Sequence, residues 1–240
     1  MSKQRVKANV ENGKAHRRGA GVGHVYETLR NEIIELKLAP GSPIDEVQLS
    51  ERFSLSRTPI REALVRLASD GLIETLPNRA TIVSHIDFLG LPQFFDALSL
   101  MYRVTTRLAA ANHDPADLER IWSLQKEFAT AVNARDVLTM IAANRNFHVE
   151  IAKAGRNRYY TELFTQLLDE GRRILRLYYS SFNDELPVQY VTEHEDMIAA
   201  ISDRDVALAD QLAGRHAEQI VRQIQAFVIA DPKTNFSMAI

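Results

Sequence analysis

The 240-residue sequence has no cysteine, so neither a disulfide framework nor a thiolate metal site can be built from it, which fits a reducing compartment. No apolar run approaches the roughly 18 residues of a membrane span, and no apolar segment of the secretory type follows the basic, polar start. The expectation is a soluble, cytoplasmic chain. Net charge is also small, −2, so the total by itself points to no polyanionic partner. Its distribution is uneven: Lys3, Arg5, Lys7, Lys14, Arg17 and Arg18 face only Glu11 before Ala20. Without apolar periodicity, residues 1–21 read as a disordered basic arm, either one that touches nucleic-acid phosphates or leader sequence with no role in binding. What the chain does have is 45% apolar residues, enough for one large or two medium domains with a buried core.

The stretch LSRTPIREALVRLASDGLIET, Leu55 to Thr75, organises the first of these. Ile60, Leu64 and Leu67 recur at helical spacing behind Ser56, which can cap the first turn, and Gly71 ends the run. Pro59 falls in the first turn, where no intrahelical N–H is lost. Upstream, Val25, Leu29, Ile33, Ile34 and Leu36 give a helix over Val22 to Leu38, stopped by Ala39-Pro40-Gly41-Ser42-Pro43. Asp45, three residues before Gln48, starts a second short helix through Val47, Leu49 and Phe53. So tight a link between two short helices is the signature of a helix-turn-helix, whose second member enters the DNA major groove. Leu72 to Leu76 and Ala80 to Val83 flank Pro77-Asn78-Arg79 as a small hairpin, a wing in which Asn78 is expected to take the left-handed turn conformation.

On such a helix Arg57, Thr58 and Arg61 lie at the exposed N-terminal end, where side chains meet phosphates and base edges, and Arg79 at the wing tip can reach the minor groove. An ordinary amphipathic helix with a solvated basic end is the competing reading. The segment APGSPIDEVQLSERFSLSRTPIREALVRLASDGLIE resembles the winged-helix domain of GntR-type bacterial regulators. That resemblance implies operator contacts by Ser56, Arg57, Thr58 and Arg61, with Asn78 and Arg79 at the wing. Val47 and Gln48 stand where some relatives carry a phosphate-gripping arginine, so that contact is not carried over.

Beyond Ser84 to Leu91 the chain reads helical, and the domains are drawn at 22–86 and 92–230, with a loose tail over 231–240. Helices are expected at Gln93 to Asn112, Leu118 to Asn133, Val137 to Ala154, Tyr159 to Ser180, Pro187 to Ile201 and Asp205 to Val228. Asp114 caps and Pro115 opens the second, and Gly155 stops the third. With no strand-period segment between them, an antiparallel all-α bundle of about six helices follows. Trp122 reads as core or a packing anchor, and Tyr178-Tyr179 as bundle residues.

Three histidines fall on three different expected helices: His148 in NRNFHVEIA, His194 in TEHEDMIAAI and His216 in AGRHAEQI. Asn144 shares the His148 face one turn earlier. Imidazoles on inward faces, with an amide oxygen, suit a divalent transition ion such as Zn, Ni, Mn or Fe, while scattered helix histidines are as a rule surface or hydrogen-bonded core residues. This half resembles the FCD domain of the FadR subfamily, in which an Asp-x-x-x-His helix and two later histidines bind a metal inside the bundle. The resemblance assigns Asn144, His148, His194 and His216 as ligands, with Asn144 replacing the usual aspartate and so removing one negative charge. Where many members have an acidic residue, an arginine and a glutamate on the first helix, this chain has Asp96, Leu98 and Tyr102. Tyr102 is the candidate for effector contact.

The leading expectation is a homodimeric, effector-responsive transcription regulator, with repression the commoner mode in relatives. It reads a near-palindromic duplex operator and binds a small carboxylate. A ligand-blind architectural DNA binder is one alternative. A metal-dependent enzyme with an appended DNA module is another, disfavoured because the chain has no His-Glu-x-x-His run and no paired Glu-x-x-His motifs.

Overall fold

The computed structural model describes residues 21–181 and 188–230. The basic arm up to residue 20, the expected helix start at Pro187 and the tail over 231–240 lie outside the described residues. The chain divides into two compact units, Met1–Ile86 and Asp87–Ile240.

In the first unit α1 is helical over 21–34 and stacks Val22, Val25, Leu29 and Ile33 on one face, as its 3.6-residue period dictates. It ends four residues earlier than the apolar pattern suggested, because Leu36 turns left-handed, φ 59°, and the Leu38 N–H closes back on the Glu32 carbonyl. Helix α2 (Glu46–Phe53) is capped by Asp45, whose carboxylate accepts from the Val47 and Gln48 N–H groups at 2.7 and 3.2 Å. Ser54, left-handed at φ 52°, closes it, and three residues later α3 (Arg57–Ser69) begins. Ser56 occupies the N-cap in extended conformation, yet its hydroxyl makes no capping hydrogen bond, unlike the cap expected of it. Ile60, Ala63, Leu64 and Leu67 join the α1 face, and each large side chain buried there contributes about 1.5–3 kcal/mol.

Gly71, φ 69°, turns the chain into β1 (Ile73–Thr75), which pairs antiparallel with β2 (Thr81–Val83) in the register Ile73↔Val83 and Thr75↔Thr81. The segment read only as a turn, residues 41–44, lies along the far side of β2. Gly41 and Ile44 N–H groups donate to the Val83 and Thr81 carbonyls, and Val83 N–H donates to Ser42. Pro43 bridges to Ile82 at the one position of that edge where no N–H is needed.

The second unit is helical throughout its described residues: α4 (Leu91–Asn112), α5 (Pro115–Ala134), α6 (Val137–Ala154), α7 (Arg158–Ser181), α8 (Gln189–Ser202) and α9 (Val206–Ala230). Connections of two or three residues join α4 to α5, α5 to α6, α6 to α7 and α8 to α9, and α4 packs against α6, α7, α8 and α9. Asp114 and Asp117 form a reciprocal capping box with Pro115 in the first turn of α5. Gly155 does end α6, but with right-handed φ −70°, and the left-handed residue is Arg156 at φ 60°. A Cβ on Gly155 would stand 3.0 Å from Leu108 Cβ and 3.4 Å from the Thr105 carbonyl oxygen, so glycine permits close approach to α4. At the α8–α9 turn Arg204 reaches the Ala111 and His113 carbonyls at the end of α4. Trp122 is exposed rather than core, whereas Tyr179 is buried as expected.

Candidate metal centre and DNA-reading surface

In the first unit Ser56, Arg57, Thr58 and Arg61 are all exposed on the N-terminal half of α3, and Asn78 and Arg79 are exposed at the hairpin tip. The burial of Ile60, Ala63, Leu64 and Leu67 forces the intervening positions outward. Arg61 is held in place: its Nε donates to Glu46 Oε2 at 2.8 Å, across the helix pair. At the wing the left-handed residue is Arg79, φ 66°, not Asn78. Asn78 instead accepts the Ala80 N–H on its side-chain oxygen at 3.0 Å, an Asx-type closure that projects Arg79 at the apex.

In the second unit the three histidines from α6, α8 and α9 converge. The ligand nitrogens of His148, His194 and His216 lie within 4.8 Å of one another, and all three residues are buried. Each Nε2 is sequestered from solvent with no hydrogen-bond partner. Buried polar atoms are normally satisfied, so three orphans on converging rings fit a bound cation. Burial pushes His148 and His194 well below the ordinary imidazole pKa, and the neighbouring histidines push in the same direction. They are therefore neutral near pH 7, the form that ligates.

The rings are packed as firmly as core residues. His194 stacks on Phe147, centroids 4.3 Å apart, and His148 and His216 take Tyr102 edge-on at 4.7 and 5.6 Å. Asn144 is buried on the same helix as His148. Burial raises the pKa of the Tyr102 hydroxyl above its ordinary value, outweighing the lowering effect of Asn144. Tyr102 thus packs against two rings of the triad. Of the other two positions on α4, Asp96 is exposed and Leu98 is buried.

Sequence reasoning missed two residues here. Gln125 Oε1 stands 3.0 Å from His194 Nδ1, and Glu193 Oε2 stands 2.6 Å from His216 Nδ1. Gln125 had a signal, being polar within the buried stripe Ile121, Gln125, Phe128 and Val132 of α5. Glu193 had none, since its partner lies on another helix.

An exposed helix-turn-helix with a wing, joined in one chain to an all-helical unit around a buried histidine cluster, is the arrangement of a ligand-responsive DNA-binding regulator. The family described as bacterial regulatory proteins, gntR family, matches residues 22–83, and the FCD domain matches residues 93–219. The chain belongs to the FCD-domain family, and its first unit is a gntR-family helix-turn-helix domain. It is 25% identical over 205 residues to the HTH-type transcriptional repressor RspR of Escherichia coli K12, covering 84% of this chain and 89% of that protein. With the HTH-type transcriptional regulator LutR of Bacillus subtilis it shares 28% over 204 residues, covering 77% and 92%. Its fold is similar to that of E. coli McbR/YncC, with a TM-score of 0.75 and 22% identity over 86% of this chain and 98% of the other.

Proposed function

We propose that this regulator is a homodimeric, FadR-type repressor, acting in the cytoplasm where its operator lies. It reads a near-palindromic duplex through Ser56, Arg57, Thr58, Arg61, Asn78 and Arg79. The helical unit binds a divalent transition ion through His148, His194 and His216, with Asn144 beside them, and a small carboxylate effector with Tyr102 in the wall of its site. The observation that carries the metal reading is the set of three buried, unpartnered Nε2 atoms on histidines whose ring nitrogens converge. When bound, the ion supplies a positive charge to which an effector carboxylate can attach.

The chain's own residues do the rest. The neutral rings of His148 and His194 offer lone pairs without first giving up a proton, and Phe147, Phe164 and Tyr102 keep bulk water away from them. A ligand bound among α4, α6, α8 and α9 biases the packing of those helices, which is the means by which a ligand shifts a two-state equilibrium. Repression is supported by the activity in the name of RspR. The domain limits adopted are 22–86 for DNA binding and 92–230 for effector binding and dimerisation.

The test is elemental analysis of purified protein, paired with titration of an operator duplex selected by the wild-type chain. The double variant His148→Ala, His194→Ala is expected to lose the metal and the response to carboxylic acids while still binding the duplex. Stoichiometric metal in that variant would overturn the site.

A further inference from the structure

The other nitrogen of two of the three histidines is tied to an acceptor, and those acceptors are not equivalent. Gln125, from α5, spends its amide N–H on the Val191 main-chain carbonyl at 2.9 Å. That bond fixes which way the amide points: reversing it would set oxygen against the Val191 oxygen. The Gln125 oxygen therefore faces His194 Nδ1, and an oxygen with no hydrogen can only accept. His194 must carry its proton on Nδ1, which leaves the Nε2 lone pair bare and turned toward the triad. Glu193, one residue before His194 on α8, does the same for His216 on α9, with a carboxylate in place of an amide.

We propose that Gln125 and Glu193 are positioning residues for the metal centre: both select the Nδ1-protonated tautomer, and Glu193 supplies, through His216, the negative charge that Asn144 does not. Three neutral imidazoles and an amide carry no formal charge of their own. A carboxylate hydrogen-bonded to the far nitrogen of a ligating imidazole makes that imidazole more electron-rich and favours the cationic ion, without occupying a coordination position. Charge is thereby moved one residue outward, and none of the coordination positions is used to supply it. The inference rests on the metal reading given under Proposed function, and its failure is separable from the failure of that reading.

The full-length chain, stripped with a chelator, is titrated with Co²⁺ in competition with a chromophoric chelator. Glu193→Gln, which keeps an acceptor oxygen but removes the charge, should weaken Co²⁺ binding by roughly 10–100-fold with unchanged helical content. Glu193→Leu and Gln125→Leu should weaken it at least as far. In the metal-free wild type, ¹⁵N spectra of labelled histidine should give protonated-type resonances for Nδ1 and bare-type resonances for Nε2 of His194 and His216. Gln125→Leu should mix the two types at His194, a change that a merely space-filling role would not produce. Equal Co²⁺ affinity in wild type and all three variants, or Nε2-protonated rings in the wild-type spectrum, overturns the inference. A wild-type chain that takes up no Co²⁺ overturns the metal reading instead, while the spectrum still decides the tautomers.

Discussion

Lowering the pH of the metal-free protein should unfold its helical unit more readily, by an amount traceable to two residues. His148 and His194 are completely buried, and their pKa values are held well below the ordinary value of about 6.5 that they regain on unfolding. Above that value both states keep the rings neutral and the stability they confer is complete. Below it the unfolded chain takes up protons that the folded chain refuses, so stability falls as the pH falls. For each ring the loss is RT ln(1 + 10^(6.5 − pH)) for as long as the folded ring stays neutral. Between about pH 7.5 and 5.5 this is about 1.4 kcal/mol per histidine, or about 2.7 kcal/mol for the pair. Urea unfolding followed by far-ultraviolet circular dichroism, with chelator present, measures it. The control is His148→Leu, His194→Leu, in which surface carboxylates titrate as before and cancel in the difference. If wild type and double variant lose stability in parallel over that range, the two rings are not buried neutral and the account of the site fails.

Other outcomes follow from the same structure. Arg57→Ala and Arg61→Ala should each weaken operator binding by about 1–3 kcal/mol, roughly 5- to 150-fold in a mobility-shift titration, with the fold intact. Loss of the exposed Arg61–Glu46 pair should itself change stability by less than about 1 kcal/mol. At the wing apex Arg79→Gly should fold as well as wild type, whereas Arg79→Val should be about 1–2 kcal/mol less stable by thermal unfolding, because φ 66° disfavours a β-branched side chain. Gly155→Ala should cost about 1–3 kcal/mol through its clash with α4, while Gly23→Ala, with nothing within 4 Å of the added carbon, should be neutral or stabilising.

The sequence was most legible where local chemistry decides structure. Asp114-Pro115 marks the start of α5, the Val137–Ala154 bounds of α6 coincide with its apolar pattern, and the two α2–α3 helices follow from Asp45 and the Ile60, Leu64, Leu67 spacing. It was less legible where a neighbour in space decides. Asn78 seemed the natural left-handed residue, but its side chain is used to close the turn, and the positive φ passes to Arg79. Leu36 likewise continues the apolar period of α1 while its backbone leaves the helix, since side-chain period and main-chain course are separate constraints. The three histidines could be placed on three helices, and their convergence is consistent with that placement. Which nitrogen each ring turns inward could not be read, because that depends on Gln125 from α5 and on Glu193 reaching across to α9.

The pairing of residues 41–44 with β2 has a consequence for how copies of this chain can meet. A two-stranded ribbon normally leaves main-chain donors and acceptors along its flank, an open invitation to a strand from another molecule. On the β2 side those groups are taken by the chain's own interhelical connector, with a proline seated at the middle of the seam. A strand from another molecule therefore cannot zip along that flank.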